Sequence, residues 1–212
     1  GEASGEKAGV FSGIVNLAKD RNFLALAASG GGVNIGQYNF FTYLTLFMRE
    51  AAMASQETAS VVLGAAQAAS AFGRIGWGYI ADTMFQGRRK TLVLLICGSA
   101  AVLLTAMALV GPHWGVIIGM ALAIGLGMTI ASYASVMQTV AVESVPRAQT
   151  GSAMGGVMIG LSLGAMAGPP LFGAVVDFTG QFADGWLTTA VIVATGLVIL
   201  KYKYKEGAEQ TH

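Results

Sequence analysis

One arginine, Arg74, stands alone in an apolar stretch: no other residue from Ser60 to Ala81 is charged. If that stretch crosses a bilayer as a helix, Arg74 sits eight residues, or about 12 Å, before the Asp82 that ends it. An ionisable group at such depth is costly and rarely faces lipid. Its guanidinium fork suits a carboxylate, which it can hold with two hydrogen bonds. Snorkelling, or a structural pairing with another helix, would account for the same residue equally well. Other polar groups recur at helical spacing and could share a cavity with it. Gln67 lies two turns earlier on the same face. Asn34, Gln37, Tyr38, Phe41 and Thr45 recur three to four residues apart along another apolar segment. Asn39 falls off that stripe, where it suits packing against a neighbour. Further along, Thr129, Ser132 and Tyr133 are nearly cofacial, with Gln138 beyond them. These residue types suit the binding of a small polar solute. No nucleophile–base pair lies at membrane depth, so no catalytic residue is assigned and the chain does not read as an enzyme.

Metal and cofactor chemistry find no support either. His113 and His212 are the two histidines and Cys97 the single cysteine, and no His/Cys cluster has metal-ligand spacing. Met154 and Met158 lie one turn apart and could hold a soft ion such as Cu(I), but packing is the stronger account of methionines scattered along the chain. No acid lies deep in any apolar segment. Glu50, Glu57, Asp177 and Asp184 fall near one side and Asp82 and Glu143 near the other. A carboxylate that takes up and releases protons within the bilayer would therefore lie outside this chain, and chemistry without one is equally open.

The elements that must position these groups follow from composition. Apolar residues make up 54% of the chain and charged residues 11%, with mean hydropathy +0.64, far from the quarter charged of a soluble domain. The 30 glycines lie inside Leu/Val/Ala/Met runs, as expected where helices approach closely in lipid. A net charge of +1 points to no nucleic-acid partner. Six segments approach the roughly 20 apolar residues a span needs: 23–47, 58–82, 91–110, 115–142, 150–175 and 186–202. Residues 1–22 read as a cytoplasmic linker with a short amphipathic surface helix carrying Phe11, Ile14, Val15 and Ala18. Residues 23–202 form the six-span domain and 203–212 a tail. The polar start, without an initiator Met, is not expected to be a native N-terminus. Lys7, Lys19, Arg21, Arg88, Arg89, Lys90, Arg147, Lys201, Lys203 and Lys205 fall on one side of a six-span topology, and Arg49 on the other. The positive-inside rule then puts both termini in the cytoplasm of a multi-pass inner (plasma) membrane protein. Trp77, Trp114 and Trp186 lie near segment ends, where interfacial anchors belong.

Gly78-Tyr79-Ile80-Ala81-Asp82 followed by Gly87-Arg88-Arg89-Lys90 resembles the loop signature of the major facilitator superfamily, although four residues separate Asp82 from Gly87 where the usual pattern has two. Gly78 would let a neighbouring helix approach, and Asp82 would pair with basic groups or a helix N-terminus. Gly155, Gly164, Gly168, Pro169 and Gly173 resemble a Gly/Pro signature of the same family, with Phe172 in place of one glycine. Independently, Gly156, Gly160, Gly164 and Gly168 recur every four residues and would give the fifth span a smooth groove. Pro169-Pro170 would bend or loosen its outer end, and Gly30-Gly31-Gly32 is a weak spot where the first span could bend during a conformational change. Glu143-Ser144-Val145-Pro146, followed by Arg147 and Gly151, resembles the family's penultimate cytoplasmic loop.

The resemblance covers nearly the whole chain and implies an all-α membrane protein: a six-transmembrane-helix bundle that is one half of a major-facilitator fold. It implies as partners the lipid bilayer, a second six-helix half, and a small-molecule substrate with or without protons. That second half would be a separate fragment, a missing part of the polypeptide, or another copy. Arg74-Ile75-Gly76-Trp77-Gly78 with Asp82 is similar to the eighth helix of the monocarboxylate and oxalate–formate branch. This implies a transporter of small organic anions in which Arg74 binds the carboxylate and Asn34, Gln37, Tyr38, Gln67 and Tyr133 shape the site. Gly78, Asp82, Arg88, Arg89, Gly155, Gly164, Gly168 and Pro169 would serve the conformational change. Another cargo (a sugar, drug or amino acid) and a non-transporting scaffold subunit are the alternatives.

Overall fold

The computed structural model describes residues 17, 19–85, 88–111 and 115–205. Most of the expected linker and its surface helix, together with Gly87, His113, Trp114, His212 and the end of the tail, lies outside them. The described chain is helical: α1 (Arg21–Glu50), α2 (Gln56–Thr83), α3 (Arg89–Ala108), α4 (Gly115–Met128), α5 (Tyr133–Glu143), a 3₁₀ turn (Arg147–Gln149), α6 (Thr150–Thr179) and α7 (Phe182–Lys203). Local chemistry sets several boundaries. Asp20 caps α1 by accepting from the Asn22 N–H at 2.8 Å, and Ser55 caps α2 by accepting from the Thr58 N–H at 3.2 Å. Gly180, at φ 71°, stops α6 in the left-handed conformation glycine tolerates best.

The six expected segments correspond to six spans, with α4 and α5 together making the fourth. Four of them (α3, α4–α5, α6 and α7) are long and apolar enough to cross a membrane by length and composition. Helices α1 and α2 are long enough, but Gly30–Gly32, Asn34, Gln37 and Asn39 in α1 and Gln67 and Arg74 in α2 dilute their apolar character. Polar and small residues of this kind belong where a helix faces protein or a cavity.

Helix α1 packs most extensively on α6 and α7, α7 on α3, and α2 on α4. Bare backbone makes the first of these contacts possible. A Cβ at Gly164 would overlap the Gly31 carbonyl oxygen, and one at Gly160 would come within 2.8 Å of the Ala27 carbonyl. The four-residue glycine repeat is thus a seat for α1. Helix α1 runs unbroken through Gly30–Gly32, and Gly31 and Gly32 let the α6 and α7 backbones approach. Helix α6 likewise continues through Pro169 and Pro170, and Tyr43 donates to the Pro169 carbonyl at 2.9 Å. Phe172, where the family signature has a glycine, is buried and stacks on Tyr43 with ring centroids 4.4 Å apart. It also meets Trp186 at 4.7 Å. Trp186 is therefore a core residue at 0% exposure, not an interfacial anchor.

At the opposite end the basic residues gather. Lys90 donates to the Tyr204 carbonyl, Asn22 exchanges two hydrogen bonds with Lys205, and Arg89 bridges Asp82 at 3.4 Å and Glu143 at 2.7 Å. Arg49, Glu57, Asp177 and Asp184 belong to the helix ends at the other pole.

Candidate functional site

The fourth span is broken, which the sequence reading did not anticipate. Residues Thr129–Ser132 form turns between α4 and α5. The Ala131 N–H reaches back to the Leu126 carbonyl and the Ser132 N–H to Thr129, so the usual four-residue ladder lapses. Backbone groups left open in a bilayer cost several kcal/mol apiece, and side chains fill the gaps. Ser132 Oγ donates to the Gly127 carbonyl at 3.0 Å. Trp77 Nε1 donates to the Met128 carbonyl at 2.5 Å. The Ala131 carbonyl accepts from Ser70 Oγ at 3.2 Å and from an Arg74 terminal nitrogen at 3.4 Å.

Three donors at positions 70, 74 and 77 share one face of α2, because those spacings are one and two helical turns. Close backbone contact brings that face to the turn: a Cβ at Gly73 would lie 2.8 Å from the Met128 carbonyl, and one at Gly127 would overlap the Ala66 carbonyl. Trp77 thus clasps the turn, where an interfacial anchor was expected. Replacing it with Phe keeps the ring and removes the N–H. Orphaning the Met128 carbonyl should cost about 1–3 kcal/mol, read as a lowered melting temperature in detergent. An unchanged melting temperature would mean the clasp contributes nothing.

Arg74 itself is exposed, and among the described residues it makes no ion pair. It stands between two pockets. One, of about 290 Å³, is lined by Phe41, Gln67, Ser70, Ala71 and Arg74. The other, of about 240 Å³, runs toward the basic end along Arg74, Gly78, Asp82, Arg89, Ser135 and Thr139. Gln67 and Arg74 therefore meet as the spacing predicted, with Phe41 beside them. Tyr38 is 45% exposed.

Asn34 and Tyr133 depart from their expected place lining the cavity: they lie inside the bundle, at 6% and 0% exposure. Asn34 Nδ2 donates to the Leu161 carbonyl at 2.6 Å, and the Tyr133 hydroxyl donates to the Gly30 carbonyl at 2.8 Å and faces Asn34 Oδ1 at 3.3 Å. They form a polar node joining α1, α5 and α6. Gln37 is half-buried, and its Oε1 is enclosed with no hydrogen-bond partner. Asn39 packs against a neighbour as its position off the stripe suggested, donating to Thr189 Oγ1 at 2.9 Å. Thr129 and Ser132 turn their hydroxyls onto carbonyls of the break; they are not cofacial with Tyr133 on a continuous helix, because the helix is interrupted between them.

Among the conformational candidates, Gly164 and Gly168 are buried against α1, Pro169 is half-buried and Gly155 partly exposed. A Cβ at Gly78 would meet nothing within 4 Å, so no described helix of this chain uses the approach that Gly78 permits. Arg88 is exposed, while Arg89 is half-buried in its two ion pairs. The sequence reading missed Ser70, Ser135 and Thr139. Ser70 was the most accessible of these, since it lies one turn from Arg74.

Comparison with known proteins agrees with this architecture. The family model described as Major Facilitator Superfamily matches residues 23–211. The Fujikurins efflux protein of Gibberella fujikuroi is 27% identical over 156 residues, covering 74% of this chain and 32% of that protein. The crystal structure of the E. coli Fucose:proton symporter superposes with a TM-score of 0.77 at 17% identity, over 94% of this chain and 47% of that one. The chain thus spans about a third of the curated relative and about half of the solved structure.

Proposed function

Because this chain belongs to the major facilitator superfamily, we propose that it forms one six-helix half of a secondary transporter that moves a small organic anion by alternating access. One observation carries the choice of cargo. Arg74 lies on the open face of α2, without an ion pair among the described residues, its guanidinium shared with a single backbone carbonyl between two polar pockets. A cation so placed can take a carboxylate by both arms of its fork. Gln67 offers an amide to the same ligand, and Tyr38 and Phe41 supply aromatic walls. Asn34 and Tyr133 act behind the site, fixing α1 against α5 and α6, and Gln37, with its Oε1 enclosed, stands behind it with them.

The second half, whether a separate chain, the rest of this polypeptide or another copy, would close over this face. Gly78 would give it room to approach, and the Asp82–Arg89–Glu143 bridge would open and close the basic end, with Arg88 beside it. Gly155, Gly164, Gly168 and Pro169 would let α6 move as a body with α1. The basic end is assigned to the cytoplasm, with both termini there, residues 1–22 as linker and 203–212 as tail.

Thiol labelling tests alternating access. With the second half present, Gln67→Cys should react with a membrane-impermeant reagent from the outer side, Thr139→Cys from the cytoplasmic side, and saturating carboxylate should shift both rates in opposite directions. Rates that ignore the ligand would count against the proposal.

A further inference from the structure

The Ala131 carbonyl has two donors of different character. Ser70 is buried, at 4% exposure, and donates at 3.2 Å; Arg74 is exposed and donates at 3.4 Å. Ala131 itself is fully buried within the interrupted turn, so its carbonyl has no water to fall back on. The following helix does not begin until Tyr133. The contact is long and uses one of the five guanidinium N–H groups, so an anion seated in either pocket that draws the fork toward itself takes Arg74 off this acceptor. A lone donor leaving a buried carbonyl would orphan it, and the penalty would be subtracted from ligand binding. With Ser70 present, the carbonyl remains paired after Arg74 leaves.

We infer that Ser70 is a positioning residue for anion binding: it retains the Ala131 carbonyl when Arg74 turns to the substrate, so that the arginine is both pre-aimed and free to move. This inference rests on Arg74 being the anion site. Ser132 Oγ lies 3.0 Å from both the Ser70 and the Gly127 carbonyls, and its one proton, shared between them, ties α2 to the turn at that level. Trp77 holds the turn independently of the ligand, because its acceptor is Met128.

The test uses the chain together with its second half, in liposomes, with radiolabelled benzoate and acetate as aromatic and aliphatic probes. Ser70→Ala should raise KM about tenfold while kcat stays within about twofold, the signature of lost binding common to ground and transition states. Damage to folding would instead lower the amount of active protein and leave KM where it was. Ser70→Cys, nearly the same size with only a weak donor, guards against a folding failure of the first variant and should show an intermediate rise in KM. Parental KM values in both Ser70 variants, with uptake lost in Arg74→Gln, would overturn the role of Ser70 alone. Parental uptake in Arg74→Gln would overturn the anion site itself, and the inference with it.

Discussion

Replacing Arg74 by Gln is expected to cut carboxylate uptake about a hundredfold, since a charged, two-armed hydrogen bond to the substrate is lost. Arg74→Lys should recover part of it, because an ammonium keeps the charge without the fork. The protein should still fold. The Ala131 carbonyl keeps Ser70 as donor, and the Met128 carbonyl keeps Trp77. Uptake of benzoate and acetate into liposomes, normalised to the amount of folded transporter, checks both variants. Parental uptake by Arg74→Gln would leave the arginine as a structural clasp and no more.

The second large effect concerns the α1–α6 seam. Gly164→Leu places a Cβ where the Gly31 carbonyl oxygen already lies and adds a branched side chain beyond it. Backbone cannot rotate aside as a side chain does, so the helices must part. A loss of about 3 kcal/mol, the upper end for overpacking, is expected, with α1 displaced from Gly160 and Gly168 as well. Thermal melting in detergent measures this. Gly64→Ala is the matched control: a Cβ there meets nothing within 4 Å, and alanine's better helix propensity should make it neutral or slightly stabilising. Equal melting temperatures for the two variants would show that the glycine groove is not tightly engaged.

Much of this architecture could be read from the sequence because membrane spans obey simple rules. Six apolar segments separated by polar breaks give the helices, and the clustering of Arg21, Arg88–Lys90, Arg147 and Lys201–Lys205 predicts which ends lie together. Gln67 and Arg74 could be paired because helical spacing alone puts them on one face of α2. Packing of the bundle decided what periodicity could not. Asn34 and Phe41 sit on the same stripe of α1, yet the first turns into the bundle to meet Leu161 and Tyr133 while the second borders the pocket. Spacing identifies a face but not which neighbour covers each turn of it. The break at Thr129–Ser132 was hidden for a different reason. Its residue types do not forbid a helix, and the turn is held open by donors some 50–60 positions away, on α2. Trp186 misled because a segment end in sequence need not be a membrane interface in space. The Phe47 and Phe172 rings pack edge-on against it.

The central claim is that Arg74 leaves its backbone acceptor to hold a carboxylate. A structure of the chain with its second half and bound benzoate tests it most directly. The expected result is a carboxylate facing Arg74 with two hydrogen bonds of about 2.7–2.9 Å, Phe41 and Gln67 around it, and the Ala131 carbonyl held by Ser70 alone. Benzoate bound elsewhere, with the guanidinium still on Ala131, would contradict it.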